Sequence, residues 1–295
     1  MFEIPINQKI QQISTPFSEN KMVQVLVQRE DLIHPICSGN KWWKLKYNLQ
    51  EAVKDKKESV LTFGGAHSNH ILATAYACNS LNLNSIGIIR GEDVRNSTLT
   101  QASKLGMELH FIDRGLYRKK DIIDWGEKFN NAYILPEGGM NFLAIKGCQE
   151  MLATSDFDYV CCCVGTGGTL AGIVNSLQGS QEAIGIPVLK GGDFLNDVIN
   201  EHVISNTNWH LNNDYHFGGY AKMTKELVDF MNTFKATFHF SLDPVYTAKL
   251  FFGVFDLIQK GFFKKKSKVL ILHSGGLQGI EAMNKKIKSK GWRIE

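Results

Sequence analysis

Hydrophobic positions along this chain follow two periods that alternate. Short runs rich in β-branched residues read as strands at 24–28 (QVLVQ), 59–63 (SVLTF), 85–90 (SIGIIR), 109–112, 133–135, 159–164 (YVCCCV), 183–188 and 269–273 (VLILH). Between them, apolar residues recur every three or four positions. That spacing predicts helices over 44–54, 71–81, 98–105, 121–129 and 142–153, and from 170 onward. Parallel strands need a crossover between them, and a helix supplies it, so this alternation predicts α/β layers with mostly parallel sheet. No internal repeat, low-complexity tract or long polar linker breaks the pattern.

At 295 residues the chain is long enough for two domains that share a cleft. Hydrophobic residues make up 43% and charged residues 21%, a globular profile. Lys+Arg (33) and Asp+Glu (29) are spread evenly, leaving a net charge of +4. This leans towards anionic small molecules. No arginine-rich arm appears, so no nucleic-acid partner is expected. The opening MFEIPINQKIQQ lacks the apolar core of a secretory signal. The apolar stretch 250–263 is broken by Asp256, Gln259 and Lys260, which excludes it as a bilayer span. The six cysteines form no C-x-x-C pair, and no histidine cluster has metal spacing, so no metal is expected. Cys161, Cys162 and Cys163 would alternate across a strand as free buried thiols, which fits a reducing cytoplasm.

Four segments put glycine and small polar residues just after a strand or at a helix start, where open α/β sheets bind ligands. In Ser38-Gly39-Asn40-Lys41, the lysine follows a glycine that permits a tight turn. A helix N-terminus disfavours its charge and helps form the free amine. Alone, the segment fits a solvated surface lysine better. Gly64-Gly65-Ala66-His67-Ser68-Asn69-His70 offers backbone N–H groups to a carboxylate, or is a plain helix cap by Ser68 or Asn69. Gly165-Thr166-Gly167-Gly168-Thr169 would form a nest suited to a phosphate dianion, or is a structural turn. It is neither a Walker loop nor a dinucleotide fingerprint, since no Gly-Lys-Ser/Thr follows and Leu170 stands where a third glycine belongs. The fourth segment is Asp243-Pro244-Val245-Tyr246-Thr247, with His273-Ser274-Gly275-Gly276 further on.

Taken in order, the motifs QREDLIHPICSGNKWWKLKY, GGAHSNH, PEGG, VGTGGTLAG, HFGGYAK, LDPVYTAK and LHSGGLQG resemble one known group. It is the pyridoxal-phosphate (PLP)-dependent family of 1-aminocyclopropane-1-carboxylate (ACC) deaminases and D-cysteine desulfhydrases. The resemblance runs from about Val25 to Gly279. It implies a tryptophan-synthase-β-like fold of two three-layer α/β domains with mostly parallel sheets and PLP in the cleft between them. Residues 1–45 and 140–295 would form the larger domain, and 46–139 the smaller. It implies that Lys41 is the Schiff-base lysine and that Gly165, Thr166, Gly167, Gly168 and Thr169 cradle the cofactor phosphate. Asn69 would bond the ring hydroxyl, and Thr247 would partner the pyridine nitrogen. Ser68 would be catalytic and, with His67, Asn69 and His70, would receive the substrate. Tyr220 and Tyr246 match two active-site tyrosines. A homodimer is the family's assembly.

Two positions bear on substrate. ACC deaminases carry glutamate where Thr247 stands and leucine where Ser274 stands, so both departures look like the desulfhydrase branch. A neutral hydroxyl at the ring nitrogen makes a weaker electron sink, which suffices when a thiolate leaves. The expected activity is elimination on D-cysteine to pyruvate, sulfide and ammonia, with ACC deamination to 2-oxobutyrate and ammonia as the alternative. A PLP-binding protein without catalysis, and a nucleotide-binding protein using 165–169, are the readings from other classes. Trp42 and His67 depart from the family's usual residues and bear on the substrate pocket.

Overall fold

The computed structural model describes residues 8–94, 96–205 and 208–295. The first seven residues of the segment expected not to be a secretory signal, and of the expected larger domain, lie outside them. Along the chain come β1 (Ile10–Ile13), α1 (Pro16–Asn20), β2 (Gln24–Gln28), α2 (Asn40–Lys54), β3 (Ser59–Gly65), α3 (Asn69–Ser80), β4 (Asn84–Arg90) and α4 (Ser97–Lys104). There follow β5 (Met107–Ile112), α5 (Arg114–Arg118), α6 (Trp125–Lys128), β6 (Tyr133–Leu135), α7 (Phe142–Gln149), β7 (Tyr159–Val164), α8 (Gly168–Ser176) and β8 (Glu182–Pro187). The chain ends with α9 (Leu195–Asn200), β9 (Trp209–Leu211), α10 (Lys225–Phe238), α11 (Thr247–Gln259), β10 (Lys268–Leu272) and α12 (Gly279–Ile287).

The strands form two sheets. One has six strands in the order β1-β2-β10-β7-β8-β9, and the other four in the order β5-β4-β3-β6. Every pairing is parallel except β1 with β2. Both sheets are covered on two faces. Residues of α2, α7 and α8 (Leu45, Ile145, Leu170) pack on one face of the larger sheet, with Val160, Cys162 and Leu270. Residues of α10, α11 and α12 (Leu227, Phe251, Met283) pack on the other, with Cys161, Ile184 and Ile271. The smaller sheet puts Leu61 and Ile88 against Tyr117 and Trp125. Ile89 on its opposite face meets α3 and α4 through Leu72 and Leu99. The cysteine run alternates as its period demands: Cys161 and Cys163 face one core, and Cys162 the other. All six thiols are free.

Most expected elements are present within a residue or two at their ends. The region 121–129 differs. It breaks into a 3-10 turn at Lys120–Ile122 and the four-residue α6. Asp124 caps that short helix by accepting from the Glu127 amide, and the Trp125 indole donates to the Lys120 carbonyl. A cap in mid-segment is incompatible with one continuous helix. Among the described residues no helix is long and apolar enough to cross a membrane.

Candidate active site

Strands β7 and β10 lie side by side, yet the helices that follow them leave to opposite faces, α8 to one core and α12 to the other. Such a switch opens a crevice at the carboxyl ends of the strands. The crevice opens to solvent. Six chain segments contribute to its lining: residues between Ile36 and Lys44, Asn69 of the β3–α3 turn, Gly138, residues between Cys163 and Leu170, Tyr246, and residues between Ser274 and Gln278.

Gly39 sets the first of these in place. Its φ is +62°, and a Cβ there would lie 1.9 Å from the Ser274 carbonyl oxygen. Only glycine lets α2 begin against the β10–α12 loop. Lys41 then stands in the first turn of α2, with its side chain on the crevice. Burial, and next the charge of Lys44, push its amine down to about 7. A substantial fraction is then the free amine near neutral pH, the form that attacks a carbonyl. Lys44 lies one turn further on the same face. Its Nζ donates to the Gly138 carbonyl at 3.0 Å and to Thr166 Oγ1 at 3.5 Å.

The loop 165–169 meets these lysines. A Cβ on Gly168 would lie 2.5 Å from Met140 Sδ and 3.7 Å from Lys44 Nζ, and Gly167 holds φ +88°. The backbone therefore passes where side chains have no room and presents the N-terminus of the nine-residue α8 to the crevice. Asn40 Nδ2 donates to Thr169 Oγ1 at 2.8 Å, tying the start of α2 to this loop. A helix N-terminus, glycine backbone and one ammonium together fit a phosphate dianion.

On the opposite side, Gln278 Nε2 donates to Asn69 Oδ1 at 2.7 Å, which leaves the Asn69 amide NH₂ as a donor beside Gly276. Tyr246 packs its ring against Gly165, and the Tyr220 ring lies edge-on to it, centroids 6.1 Å apart. The Asp243 carboxylate accepts from the Val245 and Tyr246 amides at 2.9 and 2.6 Å, fixing the turn that carries Tyr246. Burial pushes that carboxyl up to about 7. Ser274 Oγ lies 3.6 Å from Cys163 Sγ, and both line the crevice.

Several expected site residues stand elsewhere. Thr247 is fully buried outside the crevice lining, and its Oγ1 accepts from the Asp243 amide at 2.6 Å. Ser274, by contrast, lines the crevice. Ser68 caps α3, accepting from the Ile71 amide. His67 is exposed to solvent. His70 is buried below the crevice, with Nε2 2.9 Å from Thr62 Oγ1. The Thr62 hydroxyl donates to the Leu135 carbonyl, so the imidazole Nε2–H is the donor of that pair. Burial, then the charges of Lys41 and Lys44, hold His70 neutral. Trp42 and Trp43 belong to the core, and Trp43 Nε1 donates to the buried Glu30.

Lys44 and Gln278 are not singled out from the sequence, while Asn40 and Asp243 stand in marked segments without a role and Cys163 reads only as a buried thiol. Lys44 had a legible signal, three residues past Lys41 in a helix and hence on its face. Gln278 reaches the site from a distant segment, and nothing local marks it.

The geometry thus offers a buried near-neutral amine, an anion cradle one helical turn away, and polar groups facing them. A model of the pyridoxal-phosphate dependent enzymes matches residues 9–275. This chain belongs to that family. A Thermotoga maritima protein provisionally named 1-aminocyclopropane-1-carboxylate deaminase is 31% identical over 92% of this chain and 94% of its own length. A mitochondrial bifunctional D-cysteine desulfhydrase/ACC deaminase of Arabidopsis thaliana is 29% identical, over 87% of this chain and 73% of its own. A crystal structure described as an ACC deaminase homologue superposes with a TM-score of 0.82, at 28% identity, over 97% of this chain and 94% of that one. The cofactor is pyridoxal phosphate, and the fold is the two-domain PLP type that the sequence resembles. The crevice fits it: an amine for its aldehyde and a nest with an ammonium for its phosphate.

Proposed function

We propose that this enzyme eliminates a β-substituent from a small amino acid, with D-cysteine as the leading substrate. The products would be pyruvate, sulfide and ammonia. The observation that carries the reading is the placement of Lys41 on the crevice beside the glycine loop, which Asn40 ties to the start of α2. Bound PLP supplies an electron sink for an amino acid that loses its Cα proton. Lys41 would hold the cofactor through its buried amine and would take the substrate's Cα proton as a general base. Gly165 to Thr169, with Lys44, would hold the phosphate, and Asn69 would donate to the ring hydroxyl. The N-terminal turn of α3, from Ser68 to His70, receives the substrate carboxylate. Tyr246 and Tyr220 close over the substrate.

The choice of substrate rests on Ser274. It is a neutral hydroxyl on the crevice, and the position expected to carry glutamate in an ACC deaminase is the buried Thr247. A weaker sink suits a departing thiolate. The names of the Thermotoga and Arabidopsis relatives support ACC deamination as the second reading. Side-by-side assays on the PLP-loaded enzyme separate the two. Sulfide and pyruvate from D-cysteine, with no 2-oxobutyrate from ACC, would support the first, and the converse would overturn it.

We further propose that residues 1–45 and 140–295 form the large PLP-binding domain and 46–139 the small one. The two sheets divide the strands in that way, while α2 runs unbroken through 45–46. A cytoplasmic location, supported by six free thiols, and a homodimer complete the reading. Sedimentation of the holoenzyme tests the last.

A further inference from the structure

Tyr220 stands on a turn that the backbone disfavours. Phe217 (φ +51°), Gly218 (+87°), Gly219 (+113°) and Ala221 (+52°) are all in the left-handed region, which Phe and Ala adopt only when their surroundings enforce it. The Tyr220 side chain does not hold the turn by burial, since the residue is 47% exposed. A lysine from another element does hold it. Lys249, in the first turn of α11, is 0% exposed. Its Nζ donates to the carbonyls of Gly219 at 2.7 Å, His216 at 2.8 Å and Val188 at 3.3 Å. That satisfies all three donors of one ammonium. Two of the three acceptors belong to the Tyr220 turn, and one of these immediately precedes Tyr220.

A buried ammonium is an expensive way to fill space, and a methionine would pack there without a charge to desolvate. Only a cation with three N–H donors gathers three carbonyls. Lys249 lies three residues after Tyr246, so the same short segment carries one tyrosine and grips the turn of the other. We propose that Lys249 is a positioning residue that fixes Tyr220 against Tyr246 and holds the strained turn closed. The proposal rests on the reading of Tyr220 as an active-site residue.

Two measurements on the holoenzyme test it separately. The first is hydrogen exchange along the chain, which needs no substrate. Lys249→Met should speed exchange at 216–221 while β7 and β10 keep wild-type rates. In Lys249→Ala, added ammonium chloride should slow the segment again, and sodium chloride at equal strength should do so less. Unchanged exchange at 216–221, or a rise spread evenly over the protein, would overturn the anchor. The second is a double-mutant cycle on kcat. Lys249→Met should lower kcat about a hundredfold, as for a displaced reacting group, with a smaller change in KM. Adding Tyr220→Phe should then cost nothing further, and additive losses would refute action through Tyr220. A fully active Tyr220→Phe enzyme would remove the role of that tyrosine, while exchange would still decide whether Lys249 holds the turn. If Lys249→Met does not fold, Lys249→Gln, which keeps two uncharged donors, takes its place under the same readouts.

Discussion

Lys41 and Lys44 lie one helical turn apart on the crevice face of α2, and each lysine faces a different task. Lys41 presents a near-neutral amine, whereas Lys44 bonds Gly138 and Thr166 beside the glycine loop. The charge of Lys44 is the second cause, after burial, of the low pKa of Lys41. Lys44→Met should therefore have two effects. Retention of PLP should weaken by about one to two orders of magnitude for loss of one charge-assisted phosphate contact. The Lys41 amine should also titrate higher. Equilibrium dialysis against free PLP reads the first, and the pH dependence of PLP attachment to cofactor-free protein reads the second.

Replacing Lys41 by Ala should abolish both turnover and the covalent cofactor. Mass spectrometry after borohydride reduction is the check: wild type should gain one cofactor mass and the variant none. A variant with full activity would remove Lys41 from the chemistry.

Lys41 should also trade stability for function. Burial pushes its amine in the folded chain down to about 7, from the usual lysine value near 10.5. Between those values the folded chain binds fewer protons than the unfolded one, so wild-type stability rises with pH across this window. The cost of holding the amine charged is fully present below 7. Cofactor-free Lys41→Met should therefore melt above cofactor-free wild type at pH 7, and the margin should shrink as pH climbs towards 10.5. A constant margin would mean that the low pKa is not set by folding.

Gly39→Ala would put a methyl group 1.9 Å from a backbone oxygen at a φ of +62°. Neither atom is on a flexible side chain. A loss of about 3 kcal/mol is expected from forced overpacking, seen as a lower Tm with and without PLP.

Thr247 separates the sequence-based expectation from the structure. Its hydroxyl accepts from the buried Asp243 amide. Thr247→Val should cost about 1–3 kcal/mol for the orphaned N–H and leave the visible absorption of bound PLP unchanged. A shifted band with unchanged Tm would return Thr247 to the cofactor ring. Ser274→Ala is the complementary variant, and it should shift the band.

The period of the apolar residues settled much of the fold. YVCCCV and VLILH could only be buried strands, and the helices between strands made the sheets parallel. Glycines in SGNK and VGTGGT could be read as sites of close approach because one residue type alone tolerates those conformations. These are local properties, written within a few residues. Only the tertiary structure decided which polar groups face the crevice. Thr247 and Ser274 are 27 positions apart, and no spacing rule says that one turns into the core and the other into the cleft. His70 and Asn69 are neighbours, yet the helix they start turns one under the floor and the other into the site. Asp243 and Lys249 read as ordinary charged residues of a loop and a helix. Packing of distant segments removed their water, and that desolvation gave them their altered pKa values and their hold on Tyr246 and Tyr220.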